Sequence, residues 1–219
     1  MKNVLGLIAV AGLATAAVAR PDPNLSLVFS TDNGGSWTSD AAVLPGATVL
    51  VGVVMNVPDS FYGISGARYN VTASGWDVGG SDSVDLTPGK GSATDGRLAG
   101  FDFGGQTQQI FETAGNLRID AKGDTGNNPN AGISTSQNTP GALGASFNTN
   151  KTALVYRFAV TTHAGHGALD VITFSIGQNQ ITSFKGYSSS SSTSGTDITG
   201  ATGDSGTITF VPAPASLAL

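Results

Sequence analysis

From Asn24 to Val211 the chain holds no helical hydrophobic period for long, and runs in short β-type segments cut apart by clusters of Gly, Asn, Asp, Ser and Pro. That cadence restricts the fold more than any other feature. Segments of about five to ten residues bury apolar surface only by pairing and stacking as sheets. Asn24–Ser30 places Leu25, Leu27 and Phe29 on one face. Thr48–Val57 is almost continuously apolar and reads as a strand buried on both faces. Phe61–Ser74 alternates through Ile64, Ala67, Tyr69 and Val71, and Arg97–Phe103 carries Leu98, Phe101 and Phe103. Leu154–Thr162, Leu169–Ile176, Ile181–Tyr187 and Thr207–Val211 complete the set. The expected fold is all-β: a single antiparallel β-sandwich over residues 20–210, of jelly-roll type, with few or no helices. Gln106–Leu117 is the best candidate for a turn or two of helix, limited by Gly115. Residues 120–144 and 188–206 are too poor in apolar side chains to offset the entropy of ordering, and are expected as long polar loops.

Composition excludes several functions. Charged residues make up 11% of the chain and the formal net charge is −5, so the surface is built from neutral polar groups and cannot neutralise a nucleic-acid backbone. There is no Cys, hence no disulfide scaffold and no zinc-thiolate site. Glu112 is the one glutamate. No pair of carboxylates suited to glycoside hydrolysis, no Gly-x-Ser-x-Gly elbow and no phosphate loop is present.

The N-terminus has Lys2, an apolar run from Val4 to Val18, and Ala17-Val18-Ala19 before Arg20-Pro21. This is the pattern of a secretory signal peptide, residues 1–19, cleaved after Ala19. At the other end, β-type alternation stops at Val211-Pro212-Ala213-Pro214, and an apolar segment begins before Leu219. Residues 211–219 resemble the start of a PEP-CTERM sorting signal, in the Val-Pro-Ala-Pro variant. The resemblance implies an exported bacterial protein handled by sorting and processing machinery at the cell envelope. Its contact with membrane would run only through an apolar helix and basic tail beyond Leu219.

Ser30-Thr31-Asp32-Asn33-Gly34-Gly35-Ser36-Trp37 resembles the Asp-box of sialidases and other secreted β-proteins, with Ser30, Asp32, Gly34, Ser36 and Trp37 at the pattern positions. The physics is that of a hairpin. Gly34 and Gly35 allow positive φ, the Asp32 carboxylate accepts turn N–H groups, and Trp37 folds back as an apolar peg. One box without an arginine cluster makes it a folding device and not an active site. His163-x-x-His166, with Asp170 as the nearby acid, lacks further ligands and is expected as a turn with solvated histidines. Asp77, Asp82 and Asp85, and Asp120 with Asp124, lie in loops where Asx-turn chemistry is the simpler reading than calcium. Glu112 has no visible partner. Trp37, Trp76, Tyr62, Tyr69 and Tyr187 could stack on sugars if exposed, but core packing is the default.

By strand cadence the body resembles cohesin-like or carbohydrate-binding-like sandwiches. The expected function is a non-catalytic cell-envelope or extracellular-matrix protein with a structural or adhesive role, without cofactor, metal or nucleic acid. The alternative is a carbohydrate-binding module, calcium-stabilised or not, holding extracellular polysaccharide. A secreted hydrolase ranks below both.

Overall fold

The computed structural model describes residues 23–77, 82–87, 96–103, 108–121, 132–138, 140, 150–177 and 181–213. It is a β-sandwich. The strands are β1 (Asn24–Ser30), β2 (Ala41–Val43), β3 (Thr48–Asn56), β4 (Gly63–Tyr69), β5 (Val71–Trp76), β6 (Ser83–Asp85), β7 (Gln108–Thr113) and β8 (Gly115–Ala121). They continue as β9 (Ile133–Ser136), β10 (Thr152–Thr161), β11 (Val171–Ser175), β12 (Ile181–Tyr187), β13 (Thr196–Asp197), β14 (Thr202–Gly203) and β15 (Ser205–Phe210).

The first layer has the order β14-β1-β3-β10-β6. The second consists of two sheets, β2-β15-β11-β5-β8-β7 and β13-β12-β4-β9. They meet end to end, because β4 runs on into β5 across Asn70. Its neighbours change at the same level: β5 pairs Thr72 with Ser175 and Val71 with Ile119, while β4 pairs Tyr69 with both Ile181 and Ile133. Two short edge pairings, β1 with β14 and β15 with β2, are parallel and the rest are antiparallel.

Period-2 alternation explains the core. Leu25, Leu27 and Phe29 of β1 stand opposite Met55, Val53 and Val51 of β3, and all are buried. Phe158 of β10 faces Val51 from the other side. Across the interior, the Phe174 ring of β11 lies 6.0 Å from Phe29 and 6.1 Å from Phe158, centroid to centroid. β3 is central, and Leu50 on its outer side is also buried, as its apolar run predicts.

The structure corrects several boundaries. Gln106–Leu117 is not helical where described: β7 and β8 form a hairpin paired from Gln108–Ala121 to Thr113–Asn116, turned at Gly115 with φ 78°. Glycine tolerates that left-handed backbone, so the residue that limits a helix closes a strand pair. Phe61–Ser74 is two strands. Arg97–Phe103 makes only isolated bridges, Arg97 to Tyr156 and Asp102 to Ser136. Of the expected loop 120–144, the described parts include the end of β8 and all of β9, since Ile133 and Thr135 are buried under β4. The span 188–206 contributes β13, β14 and the first two residues of β15.

Burial also perturbs the phenols. Burial pushes Tyr69 far above the ordinary tyrosine range, and raises Tyr187. A raised native value means stability that is fully present below the unfolded value of about 10 and lost as pH climbs through the native value. Urea unfolding at about pH 8 and about pH 11 is expected to show lower stability at the alkaline end, with these two phenols ionising only on unfolding. Tyrosinate absorbance that rises fully before the transition would contradict this.

Candidate functional site

A trough of about 440 Å³ lies across the outer face of β11, β5, β8 and β7. It exists because the alternation that sends Ala73, Leu117 and Phe174 inward sends small polar side chains outward at the same period. Thr72 and Ser74 of β5 and Thr173 and Ser175 of β11 form its floor. Thr72 Oγ1 and Ser175 Oγ stand 2.9 Å apart across the strands. Arg118 of β8 closes one side. Its guanidinium carbon sits 4.4 Å over the Phe111 ring, and its Nε lies 3.3 Å from an oxygen of Asp120, whose side chain is fully buried. The arginine is thus fixed by an aromatic face and a carboxylate together, so little rotamer freedom remains to be lost on binding. None of these residues carries a sequence motif; the legible signal was the polar half of the alternation in Val71–Ser74 and Val171–Ser175.

The histidines are placed differently from expectation. His166 is not solvated: its side chain is 9% exposed, its ring is stacked 4.2 Å from Phe210, and Nε2 lies 2.9 Å from Asp82 Oδ1. The partnering acid is Asp82 and not Asp170. The fully buried Asp82 carboxylate also accepts the N–H of His163 and the N–H of Asp77, each at 2.7 Å. His163 is half exposed beside Asp77, with 3.2 Å from Nδ1 to the carboxylate. This constellation staples the chain after β10 to the chain before β6. Among the described residues no group of three or more His, Cys, Asp or Glu is arranged to hold a metal ion. Asp85 makes an Asx-type turn with Thr87, and Asp170 accepts the Gly167 N–H. Asp124 lies outside the described residues.

In the 30–37 hairpin, Phe29 and Thr38 exchange backbone hydrogen bonds of 2.7 and 2.9 Å. The Asp32 carboxylate accepts Ser30 Oγ–H, Ser36 Oγ–H and the Ser36 N–H. The Gly34 N–H donates to Ser30 Oγ. Positive φ falls on Asn33 and Gly34, not on Gly35. Gly35 instead makes room, since a Cβ there would stand 3.1 Å from the carboxylate. Trp37, half-buried, lies on the outer side of the first layer, where a Cβ on Gly52 would meet its ring at 3.0 Å. The hydrogen bonds from Ser30 and then Ser36 hold the Asp32 carboxyl well below the usual carboxylate range. A depressed native value gives stability that is present above the unfolded value of about 4 and lost only as pH falls through the native one. The Trp37 indole N–H resonance is therefore expected to stay in place down to about pH 3 and to move in Asp32→Ala at neutral pH. Movement in neither case would show that the carboxylate does not hold the hairpin.

Of the other aromatics, Trp76, Tyr69 and Tyr187 are buried, which removes them as sugar-stacking surfaces. Trp76 donates from Nε1 to Glu112 at 3.0 Å, the partner that Glu112 lacked in sequence. Tyr62 is 37% exposed. Val211 donates its N–H to Val43, and Pro212 and Ala213 are exposed; Pro214 and residues 1–19, with the cleavage point after Ala19, lie outside the described residues.

No protein-family model matches the sequence, and no curated protein matches it. Among solved structures, the chain is similar to the seventh ScaB type I cohesin from Pseudobacteroides cellulosolvens, at 12% identity, over 88% of this chain and 94% of that one, with a TM-score of 0.50. It also aligns with a type I cohesin–dockerin complex from Clostridium thermocellum (8% identity, 86% and 99% coverage, TM-score 0.47). A type III cohesin module of the cell-surface anchoring scaffoldin ScaE from Ruminococcus flavefaciens aligns at 10% identity, 87% and 89% coverage and TM-score 0.41. At these identities the likeness is one of fold: the sandwich is cohesin-like.

Proposed function

We propose that this chain is an exported, non-catalytic protein of the cell envelope or extracellular matrix, with a structural or adhesive role, and that it makes its contact through the trough face of the second layer. The trough carries the reading. It is an open depression on rigid strands, lined by Thr72, Ser74, Thr173, Ser175 and Arg118 together with Phe111, which suits holding a partner more than closing around a reacting molecule. The carboxylates support the same conclusion. Asp32, Asp82, Asp85, Asp170 and Glu112 each accept a hydrogen bond that holds the fold. The leader-like N-terminus and the Val-Pro-Ala-Pro end support export and sorting at the envelope. Carbohydrate binding is the second reading, favoured by the hydroxyl floor of the trough.

The test is retention on extracellular material from the source culture. The chain is expected to bind it, and Ser74→Trp, which fills the trough from an exposed position, is expected to abolish binding while moving stability by less than about 0.5 kcal/mol. Equal retention of both proteins would remove the trough from the function.

A further inference from the structure

We infer that this chain associates end to end with a second copy of itself, each copy laying its residues 215–219 across an aliphatic patch on the other. The patch lies apart from the trough, and the inference does not depend on what the trough holds.

Of the five large apolar side chains that are exposed among the described residues, three gather at one end of the second layer. The strands β2, β15 and β11 are neighbours there, in that order. Phe210 of β15 pairs with Val43 of β2, and the Val211 N–H donates to the Val43 carbonyl at 2.9 Å, so Val211 and Leu44 lie side by side. Val43 and Phe210 are buried, hence Leu44, 45% exposed, and the half-buried Val211 turn outward. Val171, opposite Thr209, points outward from β11 because Ile172 is buried. Leu169, just before β11, is 74% exposed.

Leu169 is held in a costly conformation. Its N–H donates to the Phe210 carbonyl at 2.8 Å, while the Phe210 N–H donates to the Asp170 carbonyl at 3.0 Å. Two residues therefore oppose one, which makes a bulge. The first residue of a bulge with left-handed backbone is ordinarily glycine, yet Leu169 occupies it at φ 73°. The loop before it is fixed, by His166 against Phe210 and Asp82 and by the Gly167 N–H on the Asp170 carboxylate. Leu44 is fixed as well, at the head of a turn in which Gly46 has φ 85° and the Ala47 N–H returns to the Leu44 carbonyl. A strained backbone that holds a largely exposed leucine out on an anchored loop, beside other aliphatics, is shaped for an external contact.

The chain leaving the patch identifies the occupant. Val211 is followed by Pro212-Ala213-Pro214 and then Ala215-Ser216-Leu217-Ala218-Leu219, with no charged side chain. Each proline fixes its own φ and favours an extended residue before it, so 212–214 should carry the chain about 9 Å off the end of β15. Residues 215–219 then start beyond the patch at their own root, and face the same end of an opposed copy. Area decides between contacts. The four aliphatic side chains expose on the order of 300 Å², and a specific interface buries at least about 600 Å² on each partner. Patch against patch falls short, whereas residues 215–219 laid over it add roughly as much again on each copy. Patch and exit share one end, so a two-fold axis makes the exchange reciprocal and closes it at two copies. A lipid surface fits less well, since β2, β11 and β15 hold no Lys or Arg to meet headgroup phosphates.

The experiment is sedimentation of the full chain from about 1 to about 100 μM. A monomer–dimer equilibrium is expected. Leu169→Asp and Leu217→Asp should each raise its dissociation constant about tenfold or more, the size expected when one leucine is kept out of a buried contact. The two together should add little, because both remove the same contact. Leu169→Gly should also weaken the dimer, while the monomer melts at the same temperature or higher, because glycine takes left-handed backbone without strain. A monomer at every concentration, or association untouched by both Asp variants, would overturn the inference. Loss in Leu169→Asp with Leu217→Asp still dimeric would make the contact patch to patch and refute the exchange. A lower monomer melting temperature in Leu169→Gly would show that Leu169 serves its own fold, against the proposal. Flotation of a monomer with phosphatidylcholine vesicles, lost in Leu169→Asp, would assign the patch to lipid and refute the dimer.

Discussion

Phe174→Ala is expected to lower the unfolding free energy by about 3–5 kcal/mol, near the upper end for a truncated core side chain. In a domain of this size that is roughly a 10 °C fall in melting temperature. Phe174 has no exposed surface and is the ring through which the layers meet. It lies edge-on to Phe29 at 60° and tilted by 52° to Phe158, which in turn touches Tyr156 at 5.9 Å. Truncation leaves a void between two sheets whose spacing is set by their hydrogen-bonded ladders, so the walls can close only partly. Val171→Ala on the same strand is the comparison. Val171 is 41% exposed, and its truncation is expected to cost about 0.5 kcal/mol or less. Chemical denaturation of both variants checks the difference, and similar losses would mean that the three rings do not join the layers.

Asp82→Ala is expected to destabilise by roughly 3 kcal/mol or more, since each buried donor left without its acceptor costs about 1–3 kcal/mol. The carboxylate is the shared acceptor of two backbone N–H groups and the His166 ring, so its removal strands three donors at once. The loss has a local signature that separates it from a core defect. Amide protection at Asp77 and His163 should collapse first, and the stacked His166 ring should leave Phe210, visible as changed imidazole proton shifts. Asp170→Ala is the control, since that carboxylate accepts the Gly167 N–H at the exposed surface and should cost about 1 kcal/mol. Retained protection at both amides in Asp82→Ala would show that the staple is not held by this carboxylate.

Much of the fold was readable because strand alternation is a local property. Leu25, Leu27 and Phe29, or Ile172 and Phe174, declare a buried face by their spacing alone, whatever they pack against. The hairpin at Asp32 was readable for the same reason, as its donors lie within a few residues of the acceptor. The errors came where local preference was weak and a distant partner decided. Gln108–Thr113 has a polar composition that suits several states, and it is a strand because β8 offers it an unbroken ladder. Arg97–Phe103 has the apolar side chains of a strand but finds only single bridges to Tyr156 and Ser136.

The candidate site was less legible than the fold. Its residues are common hydroxyls on the outer positions of strands far apart in sequence, and no spacing marks them. His166 shows the same limit: two histidines among glycines read as solvent-facing until β6 and β15 bring Asp82 and Phe210 to them. The sequence by itself determined an all-β sandwich and its inward faces, because these depend on neighbours within one segment. Only the tertiary structure decided which outward residues share a face and which carboxylate is buried. Those follow from ladder registers between distant strands, where a shift of one residue turns every side chain to the opposite side.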